Sequence, residues 1–352
     1  MHICWGALLT GSVKGAARKA VLQAIKTGSA QVVVGTHALI SAGVTYHNLG
    51  LTVTDEQHRF GVRQRSGLAE KGNTPHLLVM SATPIPRTLG LIIFGDLDIS
   101  LLNEMPPGRS PVKTYLVGTD KRARMYGFIR EHVDAHEQAY IVCPAIEEGP
   151  GQMAAVTSYY EEVAKPLLGT TTVGLLHGRM KPAEKNALMA DFAAGEISVL
   201  CATTVIEVGV DVPNASIMVI ENAERFGLSA LHQLRGRVGR GAAQAHCILV
   251  SDSESENARA RLSFLCQTQS GFDVAKYDLE TRGPGDFFGS RQHGLPALNL
   301  ADLATDMQVV QAAQKEAAAL LRQYPTLDEE RFAPLREAVD ALFTREGEAP
   351  LN

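Results

Sequence analysis

The chain has 352 residues, of which 45% are hydrophobic and 20% charged, and its formal net charge is -5. This balance excludes an intrinsically disordered chain, which would have fewer apolar and more charged residues. The charge also excludes a protein that is basic over its whole surface, so any nucleic-acid binding must depend on a local patch.

The sequence predicts a cytoplasmic protein without a structural metal. No stretch reaches the roughly 18 apolar residues that span a bilayer, and the amino terminus lacks the order of a signal peptide. The five cysteines include no C-x-x-C pair, and the eleven histidines form no H-E-x-x-H spacing. We therefore expect neither a disulfide framework nor a zinc site.

Short β-branched runs alternate with helical segments, a pattern typical of parallel sheets whose strands are buried on both faces. The strands predicted in the first third are 31–34, 51–54 and 76–80, and a second series comprises 114–117, 139–142, 173–176, 198–201, 217–220 and 247–250. We predict an α/β fold with two parallel sheets, each flanked by helices.

Composition changes predict the domain boundaries. Three prolines and a glycine in 105–111 exclude a helix and a central strand, so this segment marks a linker between two lobes. Beyond residue 250 we predict a helix from 257 to about 267, capped by Ser251 or Ser253, and an amphipathic helix over 305–324. The predicted domains are 1–106, 107–255 and 256–352.

An acidic pair, Asp55 and Glu56, follows the strand at 51–54, at the end where open α/β sheets bind ligands. Asp55 suits Mg²⁺ held through water, and Glu56 suits a water that attacks a γ-phosphate. Ser81 and Thr83 follow the strand at 76–80, so their hydroxyls lie beside the acids if the two strands are neighbours. An isolated Asp–Glu pair would more often be a solvated strand end.

The strongest pattern is Q-x-x-G-R-x-G-R over residues 233–240. Its glycines allow close backbone approach, and arginines three residues apart can reach a phosphate from one helical face. Arg237 and Arg240 are therefore candidate arginine fingers, with Gln233 beside them. A basic surface helix would not explain why the glycines and arginines interleave.

Polar residues also close two earlier strands of the second series. Phosphate contacts require only hydroxyls, backbone amides and an arginine. Taken singly, the two adjacent threonines would more often cap a helix. The candidates are His177 and Arg179 after 173–176, and Thr203, Thr204, Gly209 and Asp211 after 198–201.

In this order the residues resemble the motifs of superfamily 2 DNA translocases. The resemblance covers motif II at 55–58, motif III at 81–83, the region of motif IV at 177–179, motif V at 202–211 and motif VI at 233–240. It implies two RecA-like lobes that bind ATP and Mg²⁺ between them. It implies catalytic roles for Asp55, Glu56, Gln233, Arg237 and Arg240, coupling roles for His58, Ser81, Thr83, Gly209 and Asp211, and DNA contacts for Thr36, His177, Arg179, Thr203 and Thr204.

Four further segments, 60–62, 84–88, 278–286 and 289–294, are together similar to the RecG family of branched-DNA helicases. In that family a helical hairpin and a following loop couple lobe movement to duplex DNA, which implies translocation roles for Arg261, Arg282 and Gln292. The implied partners are branched or forked DNA and a single-stranded DNA-binding protein, and the implied state is a monomer. The related Mfd translocases usually have R-G-A-G-N where residues 282–286 read R-G-P-G-D, which favours RecG.

The chain has no Gly-Lys dipeptide and therefore no G-x-x-x-x-G-K-[ST] loop to hold nucleotide phosphates. The order of motifs implies the carboxyl-terminal portion of a helicase, without the phosphate-binding part of the first lobe and without the wedge domain. We expect little ATPase activity from the chain alone. We also expect a first lobe, 1–106, that is marginally stable because its strands lose their cover, and a second lobe, 107–255, that folds well.

Two other function classes stay open, a non-catalytic module that binds branched DNA and a plain nucleotide-metabolising enzyme. The first does not explain why Asp55, Glu56, Arg237 and Arg240 are all present, and the second does not explain 282–286. The net charge does not oppose DNA binding, since residues 301–352 hold 10 acidic and 5 basic residues and so account for all of it.

Overall fold

The computed structural model describes residues 5–41, 43–55, 75–81, 100, 102, 104, 110–144, 156–203, 211–288 and 307–346. Contacts between residues divide the chain into two compact units, one made of Met1–Pro84 and Asn103–Ala275, the other of Ile85–Leu102 and Lys276–Asn352. Among the helices of the described ranges, none has the length and apolar character to cross a bilayer.

All the strands that the structure describes lie in the first unit. They are β1 (Gly6–Leu9), β2 (Val32–Gly35), β3 (Leu51–Thr54), β4 (His76–Val79), β5 (Lys113–Val117), β6 (Gln138–Val142), β7 (Val173–Leu176), β8 (Val199–Ala202), β9 (Ala215–Ile220) and β10 (His246–Val250). The α-helices that lie within the described ranges are α1 (Gly15–Thr27), α2 (Arg122–Asp134), α3 (Lys165–Leu168), α4 (Pro182–Ala193), α5 (Leu228–Arg235), α6 (Glu256–Gln267), α7 (Gly271–Phe288), α8 (Met307–Gln323) and α9 (Ala333–Glu346).

Six parallel strands form one sheet in the order β5-β10-β9-β6-β8-β7. Every residue of β6, β8 and β9 is buried, as the mostly apolar runs predict for strands with helices on both faces. On one face, Met125, Tyr126 and Ile129 of α2 pack with Leu168 of α3 against these strands. The predicted α/β fold with parallel sheets is therefore confirmed.

The first four strands form two separate parallel pairs, β1-β2 and β3-β4. A small core of Leu9, Ile25 and Val44 holds α1 against the first pair. Exposed and covered residues alternate along these strands, in contrast to the fully buried central strands of the larger sheet. The large apolar side chains left exposed are Leu8, Val32, Val34, Leu51, Val53 and Leu78.

Three local predictions were wrong. The sequence reading missed β1, because Gly-Ala-Leu-Leu has no β-branched residue. The α6 helix is capped by Ser255, whose Oγ accepts a hydrogen bond from the Ala258 amide, instead of by Ser251 or Ser253. The loop expected around Arg282 is helical, since α7 runs to Phe288 although proline and glycine disfavour a helix interior; the described contacts do not explain this.

In the second unit, α8 and α9 are joined by a short connection that aromatic and basic side chains order. The Tyr324 and Phe332 rings lie 5.1 Å apart, and the Arg331 guanidinium lies 4.6 Å from each ring centre. Arg336 of α9 donates to the Leu327 carbonyl. These contacts fix the turn between the two helices.

Candidate functional site

Asp55 and Ser81 lie at the same edge of the β3-β4 pair. The two strands are parallel with Leu51 opposite His76, and the Met80 amide donates to the Thr54 carbonyl at 2.8 Å. The sequence placed these polar side chains together only if their strands are neighbours. The structure meets this condition. Three predicted residues of this region, Glu56, His58 and Thr83, lie outside the described residues.

Hydroxyls also gather at the carboxyl ends of β1 and β2. Thr36 is exposed directly after β2, and its amide donates to the Leu9 carbonyl at 3.3 Å. A Cβ at the preceding Gly35 would overlap the same carbonyl, so the strands can pair this closely only with glycine there. The Thr10 and Ser12 hydroxyls lie 2.7 Å apart at the end of β1.

Residues 233–240 pass from the last turn of α5 into a tight loop. Arg240 Nη1 lies 3.3 Å from Asp211 Oδ1, which joins this loop to the end of the segment predicted to resemble motif V. Both side chains are substantially exposed, so the pair orients the arginine more than it stabilises the fold. Gly239 has a φ of 78°, and a Cβ there would lie 3.1 Å from Ala245 Cβ, so the loop requires glycine at this position.

Tyr140, which the sequence reading missed, lies on β6 near this arginine loop. Burial raises the pKa of its phenol to about 12, while the positive charges of Arg237 and Arg240 act in the opposite direction. Its ring packs on Phe192 with centroids 4.9 Å apart. A tyrosine between the aliphatic residues Ala139 and Ile141 of a buried strand is the signal that could have identified it.

His177 and Thr203 stand at the carboxyl ends of the paired strands β7 and β8. The Thr203 amide donates to the Leu176 carbonyl at 3.2 Å, and Thr203 is only 1% exposed. Its Oγ1 and the Nδ1 of His177 are buried without a hydrogen-bond partner among the residues described, which exclude 204–210. A buried polar atom without a partner costs about 1–3 kcal/mol, so such atoms mark where a ligand or an adjoining segment can bind.

Arg179 is exposed two residues beyond His177. Thr204 and Gly209 lie outside the described residues, so their predicted roles stay predictions.

A buried carboxylate, also missed in the sequence, fixes the end of β9. Glu221 is 2% exposed and accepts hydrogen bonds from Arg122 Nη2 at 2.7 Å and from the Tyr159 hydroxyl at 2.6 Å. The Tyr159 hydroxyl also lies 2.7 Å from that of Tyr126. The network ties the β9–α5 connection to α2. A glutamate directly after six buried strand residues is the signal for it.

The candidate translocation residues have different placements. Arg261 of α6 is half-buried, and its Nη2 donates to the Glu224 carbonyl at 2.7 Å. Arg282 lies on α7, with its side chain outside the described part of the structure, and Gln292 lies outside it altogether. The described site residues thus form four groups, around Asp55, around Thr36, around His177 and Thr203, and around residues 233–240, with Arg261 apart from them on α6.

Family models match three stretches of the chain. Residues 4–92 match the DEAD/DEAH box helicase, 120–242 the helicase conserved C-terminal domain, and 268–342 domain 3, C-terminal, of the ATP-dependent DNA helicase RecG. Together they follow the order of motifs read from the sequence.

Curated relatives named ATP-dependent DNA helicase RecG match nearly the whole chain. The Synechocystis sp. protein is 49% identical over 322 residues, which are 91% of this chain and 39% of the relative. The Bacillus subtilis protein is 45% identical over 343 residues, 97% of this chain and 50% of the relative. The chain therefore spans half or less of the length of these relatives.

Solved structures agree in fold. A structure of RecG bound to a three-way DNA junction superposes with a TM-score of 0.68 and 44% identity, covering 88% of this chain and 40% of that one. The DUF1998 helicase MrfA bound to DNA, at 19% identity and a TM-score of 0.54, covers 78% of this chain and 43% of that one, and shows the fold alone. The predicted RecA-like lobes are confirmed.

Proposed function

The chain belongs to the RecG family, and on that premise we propose that it is the carboxyl-terminal portion of an ATP-dependent DNA helicase that acts on branched DNA in recombination and repair. The observation that carries the proposal is the arginine loop at 233–240, ordered next to Asp211 and Tyr140 on the larger sheet. A loop that presents Arg237 and Arg240 from a rigid sheet suits the stabilisation of phosphoryl charge.

The residues present fit a nucleotide with Mg²⁺. Asp55 stands at the carboxyl end of a parallel strand, where a carboxylate can hold Mg²⁺ through water, and the metal would neutralise phosphate charge. Glu56 would orient the attacking water, while Gln233, Arg237 and Arg240 would complete the site from the other lobe. We assign coupling between this site and DNA to His58, Ser81, Thr83, Gly209 and Asp211.

The DNA side of the proposal rests on polar groups at strand ends. A threonine hydroxyl and an imidazole N–H can both donate to a phosphate oxygen, which would supply the partners that Thr203 Oγ1 and His177 Nδ1 lack in the described structure. Exposed Thr36 and Arg179 suit further backbone contacts. We assign the same role to Thr204, and duplex translocation to Arg261, Arg282 and Gln292.

We further propose that the protein acts as a cytoplasmic monomer, with a single-stranded DNA-binding protein as a second partner. Since the sequence has no Gly-Lys dipeptide, the chain alone has no lysine to hold the nucleotide phosphates in a P-loop. We therefore expect this chain to bind branched DNA without hydrolysing ATP at an appreciable rate.

A gel-shift comparison of forked and linear duplex DNA tests the DNA side directly. The wild-type chain is expected to prefer the fork, and Arg282→Ala to weaken fork binding about tenfold with a smaller salt dependence. Arg322→Ala, which removes an exposed arginine from α8, is the matched control and should bind like the wild type. Equal binding by both variants, or no preference for the fork, would contradict the assignment.

A further inference from the structure

Arg235 is a buried cation between two helices. It is 3% exposed, and its Nη1 donates to the carbonyls of Leu265 at 2.8 Å and Thr268 at 2.7 Å. Its Nη2 donates to His232 Nδ1 at 2.9 Å. None of these described partners is a carboxylate. An arginine is rarely buried to this degree without a charged partner, so three neutral acceptors must hold it in one position.

The acceptors explain why the guanidinium is tolerated there. The Leu265 carbonyl belongs to the last turn of α6, where carbonyls lack partners within the helix and the helix dipole favours a positive charge. Burial, and secondarily the charge of Arg235, lowers the pKa of His232 to about 4, so its Nδ1 keeps the lone pair that accepts the third hydrogen bond. Arg235 therefore joins the end of α5 to the end of α6.

A second arginine joins the same two segments at a different point. Arg261, in the middle of α6, donates to the carbonyl of Glu224, which lies before α5 begins. Contacts at both ends of the segment 224–235 prevent α6 from pivoting about either one. The α5 and α6 helices are thus expected to move as one body.

We infer that Arg235 is a positioning residue that couples the arginine loop at 233–240 to α6 and to the start of α7. It stands two residues before Arg237 and points into the interior, so the loop cannot shift without moving the carbonyls of Leu265 and Thr268. The inference rests on the proposed function, because the loop is proposed to stabilise phosphoryl charge and α7 carries Arg282. It gives the first arginine of R-G-R-V-G-R a role distinct from that of the other two.

Hydrogen exchange of the 352-residue chain tests this coupling without DNA. In Arg235→Ala, amides of both 236–240 and 264–270 should exchange about tenfold faster, while those of β6 and β9 keep their wild-type protection. Arg259→Ala is the matched control. Arg259 is an exposed arginine of α6, and its Nε donates a hydrogen bond to the Ser253 carbonyl, just before the same helix. Unchanged exchange in 236–240, or the same increase in the control, would overturn the inference.

If the alanine variant unfolds, Arg235→Lys is the variant to use, because it keeps the positive charge and is expected to fold. A lysine cannot donate to two carbonyls and an imidazole in a fixed plane, so both segments should still exchange faster than in the wild type. Wild-type exchange in this variant would show that the guanidinium fork does not link the segments.

Forked DNA supplies a readout that a purely structural role would leave unchanged. In the wild type, DNA should slow exchange in 236–240 as well as in 264–275, whereas in Arg235→Lys bound to the same DNA the slowing should be confined to 264–275. Slowing in both segments of the variant would refute the coupling. A wild-type chain that does not bind the fork would refute the proposed DNA binding, while the DNA-free comparison would still decide the role of Arg235.

Discussion

Large apolar side chains are exposed on the strand pairs β1-β2 and β3-β4. A polar substitution of a valine there should therefore cost less stability than the same substitution in the larger sheet. Val34 on β2 is 61% exposed, whereas Val219 on β9 is 0% exposed. We propose replacing each by threonine, which has nearly the same shape but exchanges a methyl group for a hydroxyl.

The expected costs follow from the two exposures. At Val219 the new hydroxyl is buried between apolar neighbours, so the free energy of unfolding should fall by about 2 kcal/mol or more. At Val34 the hydroxyl faces solvent, so the change should stay within about 0.5 kcal/mol. The Val34 variant should also be less prone to self-association, because it interrupts an exposed apolar patch.

Urea unfolding followed by circular dichroism measures the first effect, and size-exclusion chromatography at several protein concentrations measures the second. Val53 on β3 is 53% exposed, so Val53→Thr serves as a second variant of an exposed valine and should behave like Val34→Thr. A Val34 variant that loses as much stability as Val219→Thr would refute the reasoning, since it would show that this face is covered in solution.

Three further predictions concern stability. Limited proteolysis should degrade 1–106 and leave a resistant fragment containing 107–255, and a resistant fragment that includes the first lobe would contradict this. Glu221→Ala should lower the free energy of unfolding by about 1–3 kcal/mol, measured by urea unfolding, because the partly buried Arg122 and Tyr159 lose the carboxylate that accepts their hydrogen bonds. Because the pKa of His232 falls from 6.5 to about 4 on folding, its share of stability is full above pH 6.5 and is lost toward pH 4, by up to about 3 kcal/mol. His232→Asn should therefore reduce the change of the urea midpoint with pH between pH 5 and 7. A pH dependence equal to that of the wild type would contradict the assignment.

The strands of the larger sheet were predictable because their sequences are mostly apolar. The predictions for 139–142 and 217–220 fall within β6 and β9, and the prediction for 173–176 matches the edge strand β7. Helix boundaries were less accurate. Several serines precede α6, and only the backbone path decides that Ser255 is the one whose Oγ faces the free amide of Ala258.

The candidate site was predictable where a motif is contiguous, as at 233–240, and not where partners are distant in sequence. Glu221 contacts Arg122 across 99 residues, and Arg235 contacts Leu265 across 30. Spacing within one segment contains no information on such pairs, since they depend on which strands and helices become neighbours. Asp55 and Ser81 could be predicted to lie close together because each follows a strand, and neighbouring parallel strands end at the same edge of a sheet.

Our central proposal is that residues of this chain serve ATP hydrolysis and DNA movement in a RecG-type helicase, while the chain has no Gly-Lys dipeptide and so no P-loop lysine. The most direct test is ATP hydrolysis, with and without forked DNA, by the chain alone and by the chain joined to the amino-terminal half of the Bacillus subtilis relative. We expect negligible hydrolysis by the chain alone, and fork-stimulated hydrolysis by the joined protein that Glu56→Gln abolishes. Robust turnover by the chain alone that Glu56→Gln abolishes, or joined protein whose turnover is indifferent to Glu56, would contradict it.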